Sequence, residues 1–154
     1  MDLMNLINKR VVVVPPGTPV ETAARLMRDE HVGALVVLDS EAADARPTGV
    51  LTDRDLVIEV LAQGAPAALL TVGDIALARL VTLGCDEGLF QAMELMSREG
   101  VRRLVIVDAS GGLLGLVSMD DILVALSQSL ALMALTITRE IRNERGEGGH
   151  ERTA

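Results

Sequence analysis

Two copies of one short pattern stand out for their chemistry. Gly49, Thr52 and Asp55 form the first, and Gly115, Ser118 and Asp121 the second. In each, Gly-x-x-Thr/Ser-x-x-Asp sets a hydroxyl three residues before a carboxylate. A hydroxyl beside unpaired backbone N–H groups at a helix start favours an anion. An aspartate in the first helical turn can accept from two vicinal hydroxyls, such as those of a ribose. The same residues also describe an ordinary helix cap, with the hydroxyl at the N-cap and the acid favoured by the helix dipole. One copy alone reads as a cap. Two copies at matched positions point to a site.

The charges around these motifs differ. Of the 14 basic residues Lys9 is the only lysine, so the positive charge is arginine, whose planar fork suits phosphate oxygens. The chain as a whole carries a net charge of −8 and no basic run. That balance repels nucleic acid and anionic lipid and sets both aside as partners. Catalytic patterns are missing. His31 and His150 stand apart from any cysteine or carboxylate cluster, and His31 reads as a helix C-terminal cap. Ser118 has no histidine partner in its motif. Cys85 is a lone cysteine, which gives neither a disulfide framework nor a thiol metal site. Asp120 and Asp121 could hold Mg²⁺ as paired carboxylates, but capping and exposure explain them more simply. The reading is a non-enzyme with no metal site.

These residues are carried by an internal repeat. Residues 26–39 lie over residues 95–108, with half the positions identical. The same offset carries Leu3, Leu6 and Arg10 onto Val72, Ile75 and Arg79. After the shared Asp39 and Asp108 it shortens by three, and Gly49-Val50-Leu51-Thr52-Asp53-Arg54-Asp55-Leu56 falls on Gly115-Leu116-Val117-Ser118-Met119-Asp120-Asp121-Ile122. The extra residues sit in the polar stretch 40–47, where a surface loop tolerates insertion.

Each half predicts a first strand (residues 11–14; 80–83), a turn, a helix, two further strands and a last helix. Thr18 with Glu21 suggests a capping box for the first helix. That helix is predicted to bury Val20, Ala23, Ala24 and Met27, and its counterpart Leu89, Ala92, Met93 and Met96. The paired strands are predicted at 34–38 with 49–51 and 103–107 with 113–117, with Ser110-Gly111-Gly112 as a tight turn. The last helices start near Asp53 and Met119. The core must be built without Trp or Tyr and with one Phe. The fold class is α+β: two β-α-β-β-α repeats, at residues 1–64 and 65–126, packed sheet to sheet about a pseudo-twofold axis. A helical extension (127–145) and a disordered tail (146–154) follow.

In Gly49-Val50-Leu51-Thr52-Asp53-Arg54-Asp55-Leu56, in Gly100-Val101-Arg102-Arg103-Leu104-Val105-Ile106-Val107-Asp108 and in Val72-Gly73-Asp74-Ile75, the chain resembles the cystathionine-β-synthase (CBS) domain family. The resemblance covers about residues 1–126. It departs at Val36 and Val105, where members often carry proline. It implies a regulatory or sensor module that binds AMP, ADP, ATP or S-adenosylmethionine, with Mg²⁺ as a possible companion of the phosphates. It also implies a homodimer and a separate effector protein. Each pocket would draw on both repeats. Carried over, the first holds Val50, Thr52, Arg54 and Asp55 with Ala78, Arg79, Val101, Arg102 and Arg103. The second holds Leu116, Ser118, Asp120 and Asp121 with Lys9, Arg10, Val32, Gly33 and Ala34. The first gathers four arginines around one acid, so it is the expected seat of a phosphorylated ligand. The second suits a weaker or less anionic one. The competing reading is a dimerisation scaffold whose pockets stay empty.

No basic segment followed by an apolar run opens the chain, so the expected location is the cytoplasm. Residues 122–138 are apolar apart from Ser127, Gln128, Ser129, Thr136 and Thr138. They fall short of the roughly 20 residues of a spanning helix, with polar residues at the centre. A stripe of Leu123, Leu126, Leu130, Met133 and Ile137 reads instead as a surface for another chain.

Overall fold

Short apolar runs flanked by glycine and turn residues set the strands of both halves. A computed structural model describes residues 3–40, 42, 45–76 and 80–144. In the first half β1 (Val13–Val14), β2 (Ala34–Leu38) and β3 (Pro47–Thr52) form one sheet in the order β1-β2-β3. In the second, β4 (Thr82–Gly84), β5 (Arg103–Val107) and β6 (Leu113–Ser118) repeat it. The outer pairs β1/β2 and β4/β5 are parallel, and the hairpins β2/β3 and β5/β6 are antiparallel. Each hairpin shifts register at one place, Val37/Leu38 and Ile106/Val107. The registers match as well: Ala34 lies opposite Thr52, and Arg103 opposite Ser118.

The first strands are shorter than the apolar runs that predict them. Their backbone nevertheless stays tied to the sheet, as Val36 N–H donates to Val12 O (3.0 Å) and Val105 N–H to Val81 O (3.1 Å). Helix α1 (Val20–Asp29) buries Val20, Ala23 and Met27. Ala24, at the edge of that stripe, is exposed. In α4 (Leu89–Glu99), Ala92 and Met96 are buried while Leu89 and Met93 are half-buried. Met93 is the counterpart of Ala24, and its longer side chain reaches the apolar side that a methyl does not.

The capping box expected at Thr18 and Glu21 is not formed. Pro19 takes the N-cap position with no side-chain cap bond. Thr18 serves a turn instead: its N–H donates to Pro15 O (3.1 Å) and its carbonyl accepts from Val72 N–H (2.8 Å). Glu21 pairs with Arg25 at 3.3 Å. At the other end of α1 the C-cap is Glu30, and His31 follows in the left-handed region at φ 55°. Gly100 holds that conformation after α4, at φ 65°. The N–H groups of Val32 and Val101 then close back onto Met27 O and Met96 O, each at 3.0 Å.

After β3, α2 (Asp53–Asp55) runs into a π-helical turn at Leu56–Leu61, with Val60 buried. A short helix α3 (Val72–Ala76) precedes β4, and α5 (Met119–Glu144) closes the described chain. The stretch expected as a disordered tail, 146–154, lies outside the described residues.

The lead-in segments are exchanged between the repeats. Val72 of α3, which introduces the second repeat, belongs to the buried cluster of Val14, Ala23, Met27, Leu35, Val37 and Leu51 in the first. Ile75 packs on the same cluster. In the opposite direction, a 3-10 turn at Leu3–Leu6 and buried Ile7 lead to Asn8. Asn8 exchanges backbone hydrogen bonds with Leu116 of β6, at 2.9 and 3.1 Å. Gly115 makes this approach feasible. A Cβ there would overlap Ile7 Cγ2 and the Asn8 carbonyl oxygen. Residues 1–119 and 120–154 form two compact units, so both sheets lie in the first.

Candidate functional site

Thr52 ends β3 and Asp55 ends the three-residue α2, so the strand-to-helix junction fixes both. They form a reciprocal cap. Thr52 N–H and Oγ1–H both donate to Asp55 Oδ2, at 2.8 and 2.7 Å, and Asp55 N–H donates to Thr52 Oγ1 at 3.2 Å. The capping alternative raised by the sequence is therefore realised at this copy. The same bonds recur at the start of α3. There Thr71 N–H and Oγ1–H donate to Asp74 Oδ2 at 2.8 and 2.7 Å, and these bonds hold the Asp74 carboxyl below its usual range. Thr-x-x-Asp is by itself a cap in this chain.

Position separates the two boxes. Thr52 and Asp55 open onto a cavity of about 520 Å³ lined also by Val50, Asp53, Arg54, Val81, Gly100, Val101, Arg102 and Arg103. That volume is within the usual span of small-molecule sites, about 300–1,000 Å³. Two segments meet here: the β3–α2 junction of the first repeat, and the α4–β5 junction of the second. The matched registers place them so. Gly33, just before β2, marks their contact. A Cβ on Gly33 would stand 3.2 Å from Asp53 Oδ2 and 3.6 Å from Arg103 Nη2.

Seven residues named from the sequence for the first pocket line this one cavity: Val50, Thr52, Arg54, Asp55, Val101, Arg102 and Arg103. Ala78 and Arg79 lie outside the described residues. Asp53, Val81 and Gly100 line it without having been named. Asp53 changes the electrostatics, because among the described residues three arginines face two aspartates rather than one. Its Oδ1 accepts from Arg54 N–H at 2.8 Å. A run of Asp-Arg-Asp after Thr52 was visible in the sequence; stepping by three from Thr52 passed over its first acid.

The residues named for the second pocket are placed variously. Lys9 and Arg10 follow Asn8 and are exposed, and Arg10 pairs with Glu30 at 3.4 Å. Val32 packs against the core cluster of the first repeat. Gly33 stands beside Asp53 and Arg103, at the first cavity, and Ala34 is buried opposite Thr52. Leu116 pairs with Asn8, and Ser118 ends β6 opposite Arg103. Asp120 and Asp121 occupy the first turn of α5. Among the described residues, no group of three or more His, Cys, Asp or Glu is arranged to hold a metal ion.

Comparison with known proteins places this architecture. A family model described as CBS domain matches residues 3–62 and 72–128. An uncharacterized protein of Methanopyrus kandleri is 38% identical over 110 residues, covering 70% of this chain and 55% of that protein. The chain thus spans about half the length of that relative. The CBS domain-containing protein YhcV of Bacillus subtilis is 34% identical over 128 residues, covering 82% of this chain and 87% of YhcV. Among solved structures, a CBS domain protein from Pyrobaculum aerophilum complexed with AMP aligns with a TM-score of 0.70 at 24% identity. It covers 79% of this chain and 89% of that one, a likeness of fold.

Proposed function

The chain belongs to the CBS domain family, and we propose that it is a regulatory module that takes an adenosine nucleotide into the cavity at Thr52 and Asp55. One observation carries the reading: guanidinium groups from both repeats converge on one cavity that also holds a ribose-competent carboxylate. Arg54, Arg102 and Arg103 would bind phosphate oxygens, each charge-assisted bond being worth about 1.5–3 kcal/mol. Asp55 would accept from the ribose hydroxyls. Val50, Val81 and Val101 offer apolar walls to a base. The AMP held by the P. aerophilum protein supports an adenosine ligand here. AMP, ADP, ATP and S-adenosylmethionine are the candidates. With two aspartates among the arginines, a ligand with fewer phosphates is less disfavoured than the sequence alone suggests. The module would act without catalysis of its own, on a separate effector protein.

A second reading is a pairing scaffold with an empty cavity. The Thr52–Asp55 box favours it, since the reciprocal cap gives both residues a structural role of their own. Thermal unfolding with each of the four ligands separates the two. A ligand at a hundred times its Kd stabilises by about 2.7 kcal/mol. That should raise the melting temperature by roughly 5–10 °C at this chain length. Melting curves unmoved by millimolar ligand would reject the nucleotide reading in favour of the scaffold.

A further inference from the structure

Asp53 brings to the cavity a carboxylate that the Thr52–Asp55 cap does not use. Its backbone is fixed from behind, where Asp53 N–H donates to Gly33 O at 3.3 Å. The second repeat makes the same bond without an acid. There Met119 stands at the matched position, and its N–H donates to Arg102 O at 2.9 Å. The junction therefore closes with either side chain, and the carboxylate is not what closes it.

The carboxylate shares its space with a guanidinium. Asp53 Oδ1 accepts from Arg54 N–H at 2.8 Å, which orients the group. Gly33 has no side chain to fill the space beside it. A Cβ there would stand 3.2 Å from Asp53 Oδ2 and 3.6 Å from Arg103 Nη2, so both atoms border one gap. Residues two apart at a helix start point to different sides. Asp53 and Asp55 thus meet different parts of a ligand. With its ribose at Asp55, a nucleotide reaches the arginines with its phosphates, and Asp53 borders the space beside Arg103.

A guanidinium fork attracts phosphate oxygens, and a carboxylate beside it repels them. Among the described residues three arginines line the cavity, enough to outweigh that repulsion for a single phosphate. Each further phosphate adds negative charge to the same space. A like charge placed against the unwanted ligand is a general means of selection. We infer that Asp53 restricts the cavity to ligands with one phosphate and disfavours di- and triphosphates. The inference rests on the nucleotide reading above and names the ligand class within it.

Titration calorimetry of the full chain with adenosine, AMP and ATP tests this, in EDTA so that no divalent cation screens the phosphates. The wild-type chain should bind AMP more tightly than ATP by about tenfold, within the range that repulsion from one charge spans between water and a protein surface. Asp53→Asn keeps an acceptor for Arg54 N–H and loses the charge. It should tighten ATP by about tenfold, AMP by less, and leave adenosine within about twofold. Wild-type affinity for ATP equal to that for AMP overturns the proposal, with no variant needed. An unchanged ratio of AMP to ATP affinity in Asp53→Asn also overturns it. In both cases nucleotide binding itself stands. Equal weakening of all three ligands in the variant would make Asp53 a support for the arginines and not a selector, and overturns it too. A wild-type chain that binds none of the three removes the nucleotide reading, and the inference with it.

Discussion

Asp55 and Asp74 make the same bonds to the threonine three residues before them, and of the two it is Asp55 that lines the cavity of about 520 Å³. The pair is a built-in control. Alanine at either position should lower the melting temperature through loss of a cap. Only Asp55→Ala should weaken AMP or ATP binding, by about ten- to a hundredfold, or 1.4–2.7 kcal/mol. Titration calorimetry on both variants decides it, and equal affinities would remove Asp55 from the site. The sequence made Thr52 and Asp55 legible because they repeat at Ser118 and Asp121. Thr71 and Asp74 have the same spacing but no repeat partner at that offset, so the pattern that drew attention to one hid the other. Asp53 escaped because the motif's period skips it, and its carboxylate removes one unit of the positive excess that the arginines imply.

A five-residue apolar run made β2 readable to the residue, and the four apolar residues after Arg103 did the same for β5, since a strand covered on both faces has no polar alternation to blur its ends. The first strands were over-read, because Val11–Val14 is apolar throughout while only Val13 and Val14 pair as a ladder. Pro19 displaced the cap from Thr18, and nothing in local spacing announces the π-turn after α2. The hairpin turns were clearer. Asp108 Oδ1 accepts from Ser110 N–H, Ser110 Oγ–H and Gly112 N–H at 2.7, 2.6 and 2.9 Å, with Gly111 at φ 87°. Those bonds hold the Asp108 carboxyl below its usual range, the Ser110 hydroxyl foremost. A carboxyl lowered by folding stabilises the fold above its unfolded value, about 3.9, and ceases to as pH falls through the folded one. Asp108→Asn should therefore melt below wild type near neutrality, and the gap should close in acid below about pH 4. A gap that persists there would mean the turn does not depend on the charge.

At the scale of the molecule, the repeats interlock through their lead-ins. The repeat itself was legible from the offset of identical residues, but the exchange was not, because periodicity shows which face is apolar and not whose sheet covers it. Gly115 is the tightest point of that interlock. Gly115→Ala should lower the unfolding free energy in urea by about 1–3 kcal/mol, the usual cost of overpacking. Gly17→Ala, whose Cβ would meet nothing within 4 Å, is the control. Equal stability of the two would mean that Ile7 and Asn8 yield without loss.

The exchange of lead-ins has a bearing on ancestry. A lone half built this way would leave its sheet uncovered and its own leading segment without a seat. Both needs are met only by a second half, so the smallest self-sufficient form of the unit is a reciprocal pair of chains. Residues 62–71 convert that pair into one polypeptide and remove its dependence on concentration. Once joined, the two halves were free to diverge at equivalent positions, as Arg54 and Asp120 have.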